Sequence, residues 1–559
     1  MINRRRFIAT PLISLAASKL AACHYDTPPN QTDIAGSYLH ETMQRGHYLR
    51  DLQTQSFTKN RIIRTGCIIA GAGVAGLSAA RQLNQIGRDD FIVLELANTS
   101  GGNARGAAIN GIAHPLGAHY LPAPDDSMPA LQSLLEELNI RQRISGRWVY
   151  DEAFLCHSPQ ERLFFQGQWQ QGLLPLQGVS KTTLLQYQRF SELVIVWKKT
   201  KQFNIPNNIN NINNISNKYN VHNVHTIQTK NIALLNLHTL TFAQYLNENG
   251  LNDVHLLWYL DYCCRDDYGG DLNTVSAWAG IHYFAARHGF NLPYQASNDD
   301  ALPVLTWPQG NAFLTQALSK PLLNERLKTD RIVVRIEVLR NRVEVDVLNV
   351  LSQQLERYEA SQAIVALPAF IASRVIINPS KNLIDRAKTI QYSAWSVANI
   401  WCDSHLRTDI RTAGTAPDMA WDNVIYKERS FSNTSLGYVN ASHQEVSMPK
   451  ATVLTHYSTY GTSLAAKKSL LALPWQQARD KVLQELSQVH GDIYEHAKVV
   501  NITRYGHAMA TPVPRTRENI PFLTQPTMPK LQFAHSDWAG YSIFEEAFEQ
   551  GFKAANFMV

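Results

Sequence analysis

The 559-residue sequence has little net charge, few cysteines and no long uninterrupted apolar run. None of its six cysteines lies in a CxxC pair, so a structural zinc site has no support and no metal site is predicted. The net charge of +6 falls to +2 without Arg4, Arg5, Arg6 and Lys19, which lie in a segment that we expect to be removed. This near-neutral balance leaves no basic surface for nucleic acid.

Length and composition indicate a globular protein of more than one domain. The hydrophobic fraction of 45% and the charged fraction of 18% are those of an ordinary soluble globular chain. Because a single hydrophobic core stops growing beyond about 250–300 residues, two or three domains are expected.

Residues 1–23 predict an export signal. A basic start, a modest apolar stretch and small residues at the end are typical of a secretory signal, and Lys19 interrupts a stretch too short to span a membrane. The start NRRRFI resembles the twin-arginine export motif, and LAAC, ending at Cys23, resembles the lipobox of bacterial lipoproteins. We expect export by the twin-arginine route and a lipid anchor on Cys23, at the periplasmic side of a bacterial membrane. A plain secretory signal with a chance cysteine is the alternative.

Two further stretches predict little packing. Residues 24–60 carry Pro28 and Pro29 among many polar residues and are interpreted as a tether. In residues 204–223, half of the positions are asparagine, interleaved with isoleucine. A tract this biased has little to pack with, so a disordered or surface insertion is predicted.

Short apolar runs predict strands at the start, middle and end of the chain. Residues 67–70 lead through a helical pattern to a second run at 91–94, which predicts the start of a βαβ unit. Further strands are predicted within 331–348, at 363–367 and at 531–534, the last followed by a helix. A discontinuous nucleotide-binding domain is therefore predicted, with the intervening sequence forming a second domain.

A glycine-rich turn follows the first predicted strand. Gly71, Gly73 and Gly76 form a GxGxxG motif. The first glycine allows the tight turn, the second lets the backbone approach a pyrophosphate, and the third lets the helix pack close to the strand. Free N–H groups at the start of the helix, at Val74 and Ala75, would hold the phosphates together with the helix dipole.

Glu95 stands at the end of the second predicted strand. At this distance from the glycine turn, a carboxylate can accept hydrogen bonds from a ribose diol, and it disfavours a 2′-phosphate. The order of strand, glycine turn, helix, strand and acid predicts a dinucleotide-binding site.

The stretch ELANTSGGNAR, which begins at Glu95, resembles the second glycine motif of the flavin-containing amine oxidase superfamily. That superfamily includes monoamine and polyamine oxidases, phytoene-type desaturases and protoporphyrinogen oxidase. Its usual arginines beside the glycine pair are absent here. The resemblance therefore implies that Arg105 supplies the positive charge for the FAD phosphates, beside Gly101 and Gly102.

Other segments resemble the same superfamily in order to the C-terminus. LGAHY resembles the segment that runs along the flavin, which implies contacts from Gly117 and Ala118. The strand around Val333 is similar to the one whose backbone meets adenine. Asp537, in the C-terminal motif, is implied to reach the ribityl or phosphate region.

The resemblance implies FAD as the cofactor and an α/β fold, with a discontinuous Rossmann-like FAD-binding domain and a mixed α+β substrate domain. The expected boundaries are the signal at 1–23, the tether at 24–60, FAD-binding parts at 61–130, 305–375 and 521–559, and substrate-domain parts at 131–304 and 376–520.

Candidate catalytic residues follow from the resemblance. His119 is implied to lie near the isoalloxazine, and Tyr541 and Trp307 are candidates for aromatic walls, although ordinary packing explains these residues equally well. The cluster YCCRDDYG at 262–269 could bind a charged substrate, and a structural Arg–Asp pair explains it as well.

We expect an FAD-dependent oxidoreductase that transfers hydride from a small amine-like molecule to the flavin. Amine oxidases of the superfamily commonly pair a lysine with the flavin, and no such lysine can be assigned here. A desaturase or isomerase acting on an apolar substrate, and a flavin-binding scaffold without turnover, remain as alternatives. The sequence does not indicate the oligomeric state.

Overall fold

The structure is a computed structural model. It describes residues 34–39, 41–51, 59–207, 236–290, 292, 303–407, 420–429, 434–445, 450–515 and 530–558. The predicted signal at 1–23 and residues 208–223 of the asparagine-rich insertion lie outside these ranges. Within them, no helix has the length and apolar character needed to cross a membrane.

The helices are distributed along the whole described chain and are numbered in order. They are α1 (Glu41–Asp51), α2 (Val74–Gln85), α3 (Pro129–Glu137), α4 (Lys181–Lys199), α5 (Phe242–Glu248), α6 (Val254–Tyr268), α7 (Ala277–His282), which continues as a π-helical turn (Tyr283–His288), α8 (Ala312–Ser319), α9 (Ala369–Val375), α10 (Lys381–Thr389), α11 (Leu464–Ala472), α12 (Trp475–Leu486), α13 (Ile493–His496) and α14 (Phe544–Asn556).

The strands form two large sheets and several two-stranded ribbons. They are β1 (Tyr38–Leu39), β2 (Lys59–Ala70), β3 (Phe91–Leu94), β4 (Gly106–Ile109), β5 (Ile112–Pro115), β6 (Tyr120–Pro122), β7 (Arg141–Ile144), β8 (Arg147–Tyr150), β9 (Glu161–Phe165), β10 (Gln168–Gln171), β11 (Val304–Thr306), β12 (Leu327–Lys328), β13 (Arg331–Val338), β14 (Val343–Asn349), β15 (Gln354–Val365), β16 (Gln391–Cys402), β17 (Asp422–Ile425), β18 (Ser435–Asn440), β19 (Thr452–Gly461), β20 (Ala497–Thr511) and β21 (Leu531–Phe533).

The first sheet has the strand order β12-β3-β2-β15-β14-β13, and β21 pairs with the second half of β15. Strands β12, β3, β2, β15 and β21 pair in parallel, whereas β13, β14 and β15 form an antiparallel meander. Ile68 and Ile69 of β2 are both fully buried, as expected for a parallel strand covered on two faces. This is a Rossmann-like sheet assembled from the start, middle and end of the chain.

The second sheet has the order β1-β20-β16-β19-β18-β17-β9-β10 and is largely antiparallel. Helix α6 contacts β18, β19 and β20, and α11 contacts β16, β19 and β20. This part mixes helices with an antiparallel sheet. The predicted fold class, α/β with a discontinuous Rossmann-like domain and a mixed α+β part, is confirmed.

The predicted strands are present, but two are longer than their apolar runs. β3 has the predicted limits, whereas β2 begins at Lys59 and β15 begins at Gln354. These two strands pair in parallel from Lys59 to Ala70, including through Arg61 and Arg64. Polar residues extend the strands because ladder hydrogen bonds use backbone groups and require no apolar side chain.

The prediction of a tether is wrong for residues 34–39 and 41–51. Ile34 is 6% exposed and belongs to a core cluster beside the second sheet. Tyr38 and Leu39 pair in parallel with Ile502 and Thr503 of β20, and α1 follows. One buried isoleucine and a two-residue strand leave no periodic pattern, so the sequence does not distinguish this stretch from a tether.

Candidate active site

A cavity of about 1340 Å³ is lined by residues from both large sheets. Sites for drug-sized ligands occupy about 300–1,000 Å³, so this cavity has room for a dinucleotide and a small second ligand. Most of the cofactor-binding residues predicted from the sequence lie on its wall: Gly71, Gly73, Val74, Ala75, Glu95, Gly101, Gly102, Arg105, Gly117, Ala118 and Asp537.

The glycine turn between β2 and α2 has the geometry that its sequence predicts. Gly71 has a φ of +103°, and a Cβ there would lie 2.4 Å from the carbonyl oxygen of Ala366. A Cβ on Gly76 would lie 1.9 Å from the carbonyl oxygen of Gly71. Gly76 therefore acts in helix–strand packing and does not line the cavity, whereas Gly73 and the first residues of α2 do.

A second glycine pair faces this turn. Gly101 and Gly102 have φ angles of +117° and +58°, and the N–H of Gly101 donates to the carbonyl of Ala72 at 2.8 Å. The nearest neighbour of a Cβ on Gly73 would be the Cα of Gly102, at 3.9 Å. Arg105 lines the cavity, and its Nε donates to the carbonyl of Gly102 at 2.9 Å. Two bare backbone turns and one guanidinium thus face the same space, which fits a diphosphate.

Glu95 lies at the end of β3 and lines the cavity. Its Oε2 accepts a hydrogen bond from the N–H of Ala72 at 2.8 Å, and its Oε1 accepts one from the N–H of Ala97 at 2.9 Å. Burial raises the pKa of Glu95 above its ordinary value despite these bonds. Each carboxylate oxygen has a further lone pair, so the side chain fits the predicted contact with a ribose diol.

His119 and its neighbours form an aromatic wall. The His119 ring stacks on Tyr457 with a centroid distance of 4.6 Å, and the Tyr120 ring lies edge-on at 5.1 Å. Burial lowers the pKa of His119 to about 3, so the imidazole is neutral at physiological pH. The Tyr457 hydroxyl donates to the carbonyl of Gly117 at 2.9 Å and holds this segment against the second sheet.

Asp537 is fully buried, and its side chain both holds the start of α9 and lines the cavity. Its Oδ2 accepts hydrogen bonds from the N–H of Ala369 at 2.8 Å and from the Tyr392 hydroxyl, which holds the start of α9. Burial alone would raise the pKa of Asp537, but His535 and these hydrogen bonds outweigh it and lower the pKa. The residue also lines the cavity.

The remaining candidates, Val333, Tyr541 and Trp307, are not on the cavity wall. Val333 is 7% exposed and packs in the core beneath the first sheet. Tyr541 is fully buried, and its hydroxyl donates to Oε1 of Glu546 at 2.7 Å. Trp307 stacks on Phe313 at 5.2 Å. The side chains of these residues face the interior, and the contact of the Val333 backbone with adenine stays a prediction.

Charged residues of the second domain reach the same cavity. Asp266 and Asp267, at the end of α6, and Arg287, on the π-helical turn, line it. Arg287 donates to Asp267 and lies 3.2 Å from Glu545 of α14. The Tyr120 hydroxyl donates to Asp267 at 3.3 Å. The two aspartates were within a predicted cluster, whereas Arg287 had no recognisable signal in the sequence.

The two neighbouring aspartates differ in protonation. Burial raises the pKa of Asp266 to about 7, and the charge of Asp267 adds to the effect. Burial would also raise the pKa of Asp267, but Arg287 and His288 outweigh it and hold that pKa below its ordinary value. The Oδ2 of Asp267 is buried and has no hydrogen-bond partner within the described part of the chain. The cavity wall therefore carries one ionised carboxylate and one carboxyl group that titrates near neutral pH.

Proteins of known structure share this fold. Putrescine oxidase bound to putrescine is 15% identical, with a TM-score of 0.59 over 89% of this chain and 99% of that one. Cyclohexylamine oxidase from Brevibacterium oxydans is 15% identical, with a TM-score of 0.59 over 88% and 98%. A CLA-producing fatty acid isomerase from P. acnes is 15% identical, with a TM-score of 0.57 over 89% and 98%. At such identities the likeness shows the fold alone.

Sequence comparison is more specific. No curated protein matches the chain. The family described as flavin-containing amine oxidoreductase matches residues 74–559, from the start of α2 to the C-terminus. The chain therefore belongs to the flavin-containing amine oxidoreductase family and is an FAD-dependent oxidoreductase.

Proposed function

We propose that the protein oxidises a small, positively charged amine. In this reaction a hydride leaves the carbon beside the nitrogen, and FAD, when bound, supplies the acceptor. The observation that carries the proposal is the pair of carboxyl groups, Asp266 and Asp267, on the wall of a cavity that is otherwise rich in aromatic side chains.

The aromatic wall suits an organic cation. His119, Tyr120, Trp395 and Tyr457 all line the cavity, and the Trp421 ring lies 5.3 Å from His119. The faces of such rings carry negative potential and attract an ammonium group. Because His119 is neutral, it does not oppose a cation.

The charges beside this wall favour the same ligand. Asp267 and Glu545 both pair with the guanidinium of Arg287, and Asp266 lies within its electrostatic range, so carboxyl groups outnumber the guanidinium. Asp422 pairs in register with Glu161 of the neighbouring strand. Burial raises the pKa of Asp422, and the nearby charge of Asp266 raises it further. A carboxyl group held protonated by its neighbours becomes ionised when a cation binds, because the cation lowers its pKa.

Asp266 is also suited to accept a proton. An ammonium ion has no lone pair to assist loss of hydride, so the amine must be deprotonated before it is oxidised. A general base works best when its pKa is close to the operating pH, and the pKa of Asp266 is about 7. We assign this proton transfer to Asp266.

An apolar carboxylic acid is a poorer fit. Asp267 is ionised, and both it and Glu545 pair with the single guanidinium of Arg287, so the carboxyl groups exceed the cation and disfavour a carboxylate in the same cavity. A neutral polyene would meet no such repulsion, and a scaffold would need no substrate at all. These two alternatives are distinguished from amine oxidation by finding which compounds reduce the flavin directly.

The test uses the purified yellow protein under anaerobic conditions with a panel of monoamines, diamines, amino acids, fatty acids and polyenes. We expect bleaching of the flavin spectrum by an amine, followed by peroxide formation when air is admitted. Bleaching by a fatty acid or polyene instead would contradict the amine assignment. A protein that none of the panel reduces would support the scaffold.

We also propose that the protein is exported by the twin-arginine route and anchored through a lipid on Cys23. The proposal rests on the sequence of residues 1–23 alone. Replacing Arg4, Arg5 and Arg6 with lysine is expected to leave unprocessed precursor in the cytoplasm, detected by immunoblotting of cell fractions. Normal processing of that variant would overturn the twin-arginine assignment, and normal lipid labelling of a Cys23→Ser variant would overturn the anchor.

A further inference from the structure

A segment before the family match crosses from one large sheet to the other. It comprises residues 34–39 and 41–51, including β1 and α1, and is called here the N-terminal strap. The family match begins at residue 74, so the strap lies outside the matched part of the chain.

The first end of the strap is fixed to the second sheet. β1 pairs in parallel with β20, and the Tyr38 hydroxyl donates to the carbonyl of Leu473 at 2.8 Å. The guanidinium of Arg504 lies 3.5 Å from the centroid of the Tyr38 ring. Ile34 is buried in the adjacent core. Backbone, apolar and cation–π contacts thus hold this end.

The second end is fixed to the Rossmann-like sheet by Arg45. Its Nη1 donates to the carbonyl of Leu96 at 3.0 Å and lies 2.7 Å from Oδ1 of Asp330. The side chains of Arg45 and Asp330 are only 14% and 12% exposed. Leu49 packs against the core of the same sheet. An ion pair at this depth is screened less by water and salt than one on the surface.

Between its two ends the strap forms part of the cavity wall. Met43, Gly46 and His47 of α1 line the cavity together with Glu95 and Leu96. In a dinucleotide fold the acidic residue at the end of the second strand accepts hydrogen bonds from the ribose next to the adenine. The part of the cavity beside Glu95 is therefore the part that suits adenosine.

We propose that the N-terminal strap is part of the FAD site, binding the adenosine half of the cofactor and retaining it. Release of FAD then requires Arg45 to separate from Leu96 and Asp330. The strap joins both sheets across the cavity, so it also couples cofactor retention to the packing of the two parts of the molecule.

The test measures cofactor release and needs no substrate, so its outcome is independent of the proposed amine oxidation. Arg45→Ala removes the anchor without altering a residue on the cavity wall. We expect the rate of FAD release from the purified holoenzyme, followed by the rise in flavin fluorescence, to increase about tenfold or more. The matched control is Arg64→Ala, which removes an ion pair from a side chain that is 78% exposed. Equal release rates for wild type, Arg45→Ala and Arg64→Ala would overturn the proposal.

Two further measurements keep the test decisive if Arg45→Ala folds poorly. His47→Ala changes the cavity-facing side of the strap and keeps the contacts of Tyr38 and Arg45, so it is expected to weaken FAD binding in a fluorescence titration. Trypsin cleavage after Arg45 and Arg50 in the full-length protein is expected to slow when FAD is added to the apoprotein. If His47→Ala binds FAD with the affinity of wild type, and FAD does not change the rate of trypsin cleavage, the strap is not a cofactor-binding element.

Discussion

Replacing Asp266 with asparagine tests the chemistry of the cavity most directly. The ordinary pKa of an aspartate is 3.8, and burial together with the charge of Asp267 raises that of Asp266 to about 7. Roughly one tenth of the side chain is then deprotonated at about pH 6 and roughly nine tenths at about pH 8. If Asp266 accepts the proton of the amine, the second-order rate constant for flavin reduction at low amine concentration, which depends on the free enzyme, should rise about ninefold over this interval.

Asp266→Asn keeps the shape of the side chain but removes the base. Loss of a general base typically lowers the rate of the chemical step by about 10²–10⁴, and the rise with pH should disappear with it. The variant should nevertheless be folded. A carboxyl group whose pKa is raised in the folded state destabilises that state as pH increases from about 4 to about 7. The rise of this pKa from 3.8 to about 7 corresponds to at most about 4 kcal/mol, so Asp266→Asn should be more stable than wild type above neutral pH.

The assay is anaerobic stopped-flow reduction of the holoenzyme by the best amine, measured between about pH 6 and about pH 9, with urea unfolding at both ends of the range. Asp385→Asn is the control, because that aspartate is 50% exposed on α10 and forms a surface ion pair with Lys381. A slow, pH-independent Asp266→Asn beside an unaffected Asp385→Asn is the expected result. If Asp266→Asn keeps the wild-type rate and pH profile, Asp266 is not the base.

Two further substitutions test the glycine turn and the aromatic wall. Gly76→Ala should yield protein with less than about a tenth of the normal FAD content, because its Cβ would lie 1.9 Å from a backbone oxygen of the phosphate turn. Gly87→Ala, which meets no atom within 4 Å and costs only about 1 kcal/mol for its positive φ, should stay yellow. Colour retained by Gly76→Ala in the absorbance spectrum would count against the turn. Tyr457→Leu removes a ring that can make a cation–π contact, so it should raise KM for an amine about tenfold. Tyr457→Phe keeps the ring and should change KM little. Equal steady-state KM values for the two variants would contradict the role of the aromatic wall.

The nucleotide-binding half was readable from the sequence because its signals are local. The strand before Gly71, the glycine turn, α2, β3 and Glu95 follow one another within 37 residues, at 59–95. Periodicity and glycine spacing describe residues that are close together in the sequence. In this part of the fold the same residues are also close together in space, so the local patterns predict the site. The structure places nearly all of the predicted cofactor residues on one cavity wall for this reason.

Two of the predicted site residues do not line the cavity. Tyr541 and Val333 occupy the expected positions along the chain, but each side chain is buried away from the cavity. Order along the chain does not state which face of an element meets a ligand. That depends on packing against distant segments, as when Glu546 accepts the hydrogen bond of the Tyr541 hydroxyl.

The identity of the cofactor and the class of fold thus follow from short-range patterns in the amino-acid order. The charge of the substrate-facing wall does not, because Asp267, Arg287 and Glu545 come from α6, a π-helical turn and α14, and meet only when the chain is folded. The strap likewise depends on Arg45 reaching Leu96 and Asp330 across the molecule. Interactions between residues tens or hundreds of positions apart leave no period or spacing in a single sequence, so they emerge only from three-dimensional packing.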